Sequence, residues 1–344
     1  MSGERVFPIN AAKRIPIDRI DDVDSDLAAQ YVKARKPFVS RVKDWGALAW
    51  DVEYFRGKLG HQTRVMKRVA TNELFDMTVS DLLDLIQDPG WKSRIHPTDG
   101  GGPIFVLRRW NEFNEDTAAL HADIKPPHWL PAHYTCVLSY RNSARGPIDA
   151  FHHTPCHWED NAFASLNLQV KGKKHLFLFS PDDARLMGFE SALLIPPHLS
   201  LASDAFMHPE KYPGVSELPC YETILEPGDV VHWPAFWSHW FVHHPVEQIN
   251  LGFWWEPPTL ALNPLSAAWA LSNALAAAVG GFGELPDALE RMSPETRELL
   301  VKMEQHLINS PQLLRPSRVT MARMQAGSVL PLDESDYATP PAKE

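Results

Sequence analysis

The chain has 344 residues, 44% hydrophobic and 22% charged, with a net charge of −10, which fits a soluble globular protein of one elaborated domain or two smaller ones. The acidic balance and the lack of any Lys/Arg-rich run argue against a nucleic-acid partner. No apolar leader precedes residue 11, the apolar stretch 267–279 is too short to span a bilayer, and the three cysteines (Cys136, Cys156, Cys220) show no paired spacing, so the expectation is a soluble, cytoplasmic protein without a zinc cluster, the nucleus remaining open.

Residues 1–115 read as a mixed α/β segment. Ile15-Pro16-Ile17 is extended, 26–34 is helical, and Lys36-Pro37 ends that helix because the residue before proline is pushed out of the helical region. Residues 37–40 form a strand, 50–59 a helix capped by Gly60, and 63–69 a strand. Val79, Leu82, Leu83 and Ile86 stand at helical spacing after Thr78, a natural N-cap. Gly100-Gly101-Gly102-Pro103 is a turn without the Lys-Ser/Thr of a phosphate loop.

Residues 116–258 are β-rich. Short apolar runs at 134–140, 166–170 and 176–179 are separated by turn residues, the pattern of an antiparallel barrel or double sheet. Val170-Lys171-Gly172-Lys173-Lys174 is a tight hairpin, Glu226-Pro227-Gly228-Asp229 a second turn, and strands at 230–233 and 249–255 follow before Pro257-Pro258 ends the sheet. Five of the 12 tryptophans fall between Trp233 and Trp255, which suits a barrel core and an aromatic-lined pocket alike. Residues 259–344 read as helical, Ser293-Pro294 opening a helix whose Leu299, Leu300, Met303 and Leu307 form a stripe. That stripe either caps the barrel or joins two copies of the chain as a homodimer.

The chemistry concentrates in Thr154-Pro155-Cys156-His157-Trp158-Glu159. On a strand, His157 and Glu159 point to the same face. One more imidazole from a distant strand would complete a two-His, one-carboxylate face with open positions, the set that suits non-haem Fe(II) handling O2. His232, His239, His243 and His244 all compete for that place, and His243 shares strand parity with His239.

The stretch T-P-C-H-W-E-D, then N-L-Q-V-K-G-K-K, E-P-G-D-V-V-H-W-P-A-F-W-S-H and I-N-L-G-F-W-W resembles the Jumonji-C or cupin-like Fe(II)/2-oxoglutarate oxygenases, most of all the asparaginyl-hydroxylase type. K-P-F-V-S-R-V-K-D-W-G-A-L resembles the segment these proteins carry before the barrel, so the likeness covers about residues 15–258. It implies a mainly β chain with flanking helices, built on a double-stranded β-helix (jelly-roll, cupin-like) core. By the same resemblance His157, Glu159 and His239 are the metal and catalytic residues, Glu159 standing where most such hydroxylases have Asp. Lys174 matches the lysine that pairs with the distal carboxylate of 2-oxoglutarate, Thr154 a hydroxyl donor to that carboxylate, and Asn167 an asparagine near the metal-bound end. A tyrosine is expected as well, from Tyr134 or Tyr140. Asn250 and Gly252 stand where relatives often have Thr and Asn, and at Gly252 a polar contact is missing.

The implied activity is a 2-oxoglutarate-dependent dioxygenase, with Fe(II), 2-oxoglutarate and O2, that hydroxylates an unactivated C–H bond. Its substrate is expected to be a peptide or protein side chain. Alternatives are a small-molecule hydroxylase of the same mechanism, a non-catalytic cupin-like binding module, and an interaction protein led by its C-terminal helices.

Overall fold

The computed structural model describes residues 13–68, 74–87, 105–110, 118–132, 134–142, 153–158, 162–183, 214, 217–244, 246–258, 263–279 and 285–309. The chain enters through β1 (Lys13–Pro16) and α1 (Asp26–Lys33). The Ser25 hydroxyl accepts from the Ala28 N–H at 3.2 Å to start that helix. β2 (Phe38–Arg41) follows. The helix expected from residue 50 begins slightly later, as α2 (Val52–Leu59), because the Asp51 carboxylate caps it by accepting from Tyr54 N–H at 2.7 Å. Gly60 closes it through close approach: a Cβ there would stand 2.4 Å from the Arg56 carbonyl oxygen and 2.5 Å from Ser80 Oγ. β3 (Thr63–Arg68), β4 (Leu74–Thr78), α3 (Val79–Gln87), β5 (Phe105–Trp110) and α4 (Ala118–His121) complete this part. Thr78 caps α3, its Oγ1 accepting from Asp81 N–H at 3.0 Å. The turn expected at 100–103 lies outside the described residues.

Among the described residues eight strands make the core: β6 (Thr135–Asn142), β7 (His153–His157), β8 (Ala164–Lys171), β9 (Lys174–Phe179), β10 (Pro219–Leu225), β11 (Asp229–Trp233), β12 (Ser238–His243) and β13 (Glu247–Trp255). They divide between two antiparallel sheets, in the orders β11-β8-β13-β6 and β10-β9-β12-β7. The chain passes back and forth between these sheets, which is the winding of a double-stranded β-helix. β2, β5, β3 and β4 widen the first sheet to eight strands, and β1, parallel to β10, widens the second to five.

Strand alternation sorts the first sheet into two faces. The outer face carries Leu166, Leu168, Ile249, Leu251, Phe253 and Trp255, packed on Phe38, Trp45, Trp50 and Phe55 of the N-terminal segment. The inner face contributes Val231 and Trp233 to a cluster with Leu176, Leu178 and Phe241 of the second sheet. The turn into β11 is held by Asp229, whose buried carboxylate accepts from Glu226 N–H at 3.0 Å and pairs with Arg19 and Arg41 at 3.4 Å each.

Beyond residue 258 come α5 (Pro264–Val279), α6 (Leu285–Arg291) and α7 (Pro294–Asn309), α5 packing against α7. Ser293 caps α7 as expected, accepting from Thr296 N–H at 3.2 Å. The expected stripe does not all turn inward: Leu299 and Met303 are exposed, while Glu304 is fully buried. No helix among the described residues is long and apolar enough to cross a membrane.

His232 belongs to the outer face. Its ring stacks on Trp255 at 5.6 Å, lies 5.3 Å from Phe38, and its Nδ1–H donates to the Ser165 carbonyl at 2.8 Å. Burial pulls its pKa down to about 4, whereas in the unfolded chain the imidazole titrates near 6.5. The unfolded state therefore takes up the proton first as pH falls. Stability is at its full value above about pH 6.5 and drops by roughly 3 kcal/mol toward pH 4. Urea unfolding followed across this range should show that acid limb, and His232→Gln should flatten it.

Candidate metal centre

β7 and β12 pair antiparallel with His157 directly opposite His239. Their rings face each other at 4.2 Å between centroids, tilted by 54°. A one-residue bulge follows, so that Thr154 comes opposite Phe241. The approach to β12 is a tight turn: Trp237 N–H donates to the Pro234 carbonyl at 3.3 Å, and Phe236 sits in the left-handed region at φ 67°. Within it the Trp237 carbonyl lies 3.3 Å from His239 Nδ1. A carbonyl only accepts, so Nδ1 carries the proton and Nε2 keeps its lone pair. Burial, and then the charges of His157 and Lys174, hold the His239 pKa well below the usual histidine value. The ring is therefore neutral, as a metal ligand must be.

Lys174 opens β9 and is almost fully buried. Its ammonium donates to Asn167 Oδ1 at 2.9 Å and to Asn250 Oδ1, and lies 4.1 Å over the Phe241 ring. Phe241 is in turn 5.7 Å from His239. One face of β12 thus carries the imidazole, then an aromatic spacer with the ammonium above it. A buried cation needs oxygen acceptors and a π face to replace its water, and two amides and a phenyl ring provide them. Because lysine only donates, Asn167 must turn its oxygen to Lys174 and its Nδ2 toward Gly252. A Cβ at position 252 would meet that Nδ2 at 3.4 Å and Trp254 Nε1 at 3.5 Å. Gly252 therefore makes room for neighbouring donors, where the sequence suggested only a lost contact.

A family model described as a cupin-like domain matches residues 25–260. The chain belongs to the cupin-like domain family. Among curated relatives, Jumonji C domain-containing protein 5 of Drosophila melanogaster is 25% identical over 63% of this chain and 53% of its own length. tRNA wybutosine-synthesizing protein 5 of Homo sapiens is 26% identical over 72% of this chain and 81% of its own. Lysine-specific demethylase 8 of Danio rerio is 24% identical over 72% of this chain and 60% of its own. The chain thus spans about half the length of the Drosophila relative.

In this cupin-like barrel, five of the residues singled out from the sequence come together: His157, His239, Lys174, Asn167 and Asn250. Glu159 and the side chains of Thr154 and Tyr140 lie outside the described residues. Tyr134 is not part of the group. It packs edge-on against Phe253 at 5.5 Å, on the outer face of β13, away from Asn250. Of the rival histidines, His232 is on the outer face, His243 stands opposite Lys174, and His244 donates its backbone N–H to the Lys173 carbonyl at 3.0 Å. Lys173 turns away, to Glu226 at 3.8 Å. Phe241 carries no chemical signal in the sequence, although its parity with His239 marks it as inward-facing.

The donor set fits a divalent metal. Two imidazoles face each other, and Glu159 stands two residues past His157 in sequence. Among the described residues no third His, Cys, Asp or Glu joins them. The buried ammonium, held by neutral amides, fits a carboxylate. Lys174→Met keeps length and removes the charge, so it should shift the melting temperature by no more than about 4 °C and abolish binding of small dicarboxylates. Differential scanning calorimetry and isothermal titration with 2-oxoglutarate measure the two effects. A large loss of stability would make Lys174 a structural residue.

Proposed function

We propose that this chain is an Fe(II)- and 2-oxoglutarate-dependent oxygenase that hydroxylates an unactivated C–H bond of a peptide or protein side chain. The observation that carries this reading is the facing imidazole pair of His157 and His239, sharing one barrel with the buried ammonium of Lys174. Oxygenases of the Jumonji-C type, the kind met among the relatives, typically use this metal and this cosubstrate. When bound, Fe(II) supplies the activation of O2 that couples decarboxylation of 2-oxoglutarate to succinate with hydroxylation of the substrate.

The protein's own part is placement. His157, His239 and Glu159 would hold the metal. The Trp237 carbonyl keeps His239 in the tautomer that offers Nε2. Lys174 would receive the distal carboxylate, and Asn250 and Asn167 keep the ammonium in place until it does. Phe241, Trp233, Leu176 and Leu178 form an apolar wall that excludes water.

A peptide substrate is supported by the likeness to the asparaginyl-hydroxylase type and by one relative named a lysine-specific demethylase. A second reading, a tRNA nucleoside, is favoured by the relative named for tRNA wybutosine synthesis. The net charge of −10 disfavours it, since phosphate contacts dominate nucleic-acid affinity.

Fe(II) and 2-oxoglutarate added anaerobically should produce a weak visible absorption band, lost in His239→Ala. In air, succinate formation should rise with a peptide pool and stay at the basal level with total tRNA. Stimulation by tRNA alone would move the substrate assignment to RNA. Absence of both band and succinate in the wild-type protein would leave a non-catalytic binding module.

A further inference from the structure

One row of side chains near the imidazoles carries polar atoms that the metal and Lys174 do not use. Trp233, Ser165 and Trp254 stand opposite one another across β11, β8 and β13. Alternation puts them on the inner face, the one that carries Val231, Asn167 and Gly252. The Trp233 indole lies 4.7 Å from the His239 ring and 5.8 Å from Phe241. Trp233 Nε1 and Ser165 Oγ are buried, and neither has a hydrogen-bond partner among the described residues. Next to them, Trp254 Nε1 and Asn167 Nδ2 converge on the space that Gly252 leaves open.

An indole N–H only donates, and a buried donor left unmade costs free energy. Native interiors hold few such groups. Phe and Ala would pack the same positions without that cost, so two orphan donors side by side beside His239 call for an acceptor that arrives from outside. The acceptor's place follows from the strand rows. Lys174 meets β8 at Asn167. Ser165 is two residues further along the same face, about 7 Å away, and toward His239. The barrel interior therefore has a cation at one end and a row of N–H and O–H donors at the other.

We infer that this donor row is a second anchor for the cosubstrate: Trp233 Nε1 and Ser165 Oγ donate to the oxo-acid end of 2-oxoglutarate while Lys174 holds the distal carboxylate. This rests on the reading under Proposed function and adds two positioning residues to it. The row also sets specificity, because a ligand must place acceptor oxygens at both ends to satisfy it. A monocarboxylate that reaches only Lys174 leaves the indole and hydroxyl orphaned.

The test uses the full chain loaded anaerobically with Fe(II) and titrated with 2-oxoglutarate, followed by calorimetry and by the visible band. Trp233→Phe and Ser165→Ala should each weaken 2-oxoglutarate about tenfold and move the band maximum, because hydrogen bonds to the chelating end tune its electronics. Ser165→Thr, which keeps the hydroxyl, should restore affinity. Metal affinity should stay at the wild-type value, and the melting temperature without 2-oxoglutarate should be unchanged or higher, since an orphan donor has been removed. A purely packing role would instead lower the melting temperature and leave the band in place. Wild-type affinity and an unmoved band in both variants overturn the inference alone. Failure of the wild-type protein to bind 2-oxoglutarate overturns it together with the proposed function.

Discussion

Strand β12 is hydrogen-bonded along both edges, to β7 and to β9, and the site depends on that double pairing. One edge sets His239 against His157, and the other sets His243 against Lys174. Side chains alternate along a strand, so a slip of one residue would turn the imidazole and the phenyl ring out of the barrel together. Alternation of apolar and polar residues cannot prevent such a slip here. Leu176 and Leu178 on one face of β9 and Phe177 and Phe179 on the other are all fully buried. The register is held by turns. Gly172, at φ 82°, has no room for a Cβ, which would stand 2.3 Å from the Glu247 carbonyl oxygen. Gln248 Nε2 donates to the Lys173 carbonyl at 2.9 Å, and Gln169 Nε2 donates to Gln248 Oε1 at 2.8 Å. This network pins the hairpin one residue before Lys174, so the ammonium inherits its position from a turn.

The same physics marks what could be read without coordinates. Turn residues are local signals, so both hairpin turns and the strands around them were legible from Gly172 and Gly228. His157 was legible from its i, i+2 relation to Glu159. The second imidazole was a harder case, because His239 and His243 share parity and only the partner across the ladder separates them. Val230-Val231-His232-Trp233 was ambiguous in a different way: every residue is apolar or amphipathic, and either His232 or Trp233 could face inward. The outer cluster of Phe38, Trp129 and Trp255 settles it by stacking on the imidazole, which sends the indole to the inside.

Two positions show where a reading by analogy gives the wrong physical sense. Gly252 looks like an absence when set beside a side chain seen in relatives. In the barrel it is an allowance, since it lets an amide and an indole N–H crowd toward one space. Tyr134 has the chemistry of a carboxylate donor, but it lies just before β6 and joins Phe253 on the outer face. The helix stripe of α7 shows a related limit of spacing, which identifies a face but not its neighbour: Leu299 and Met303 are at solvent, while Glu304 is buried.

Electrostatics connects the two ends of the barrel. A buried ammonium and a divalent metal repel each other, and the charge of Lys174 already contributes to holding protons off His239. A low-dielectric interior tolerates such a concentration of positive charge only when anions enter with it. On the proposed reading Glu159 would bring one negative charge and 2-oxoglutarate two, which together would match the metal and the lysine. The cosubstrate would then neutralise the site at both ends at once. Metal and cosubstrate would each strengthen the binding of the other, by the reciprocity that governs any two ligands sharing a free-energy coupling. The amides of Asn167 and Asn250 suit that arrangement, because they hold the ammonium by dipoles and themselves cancel none of its charge.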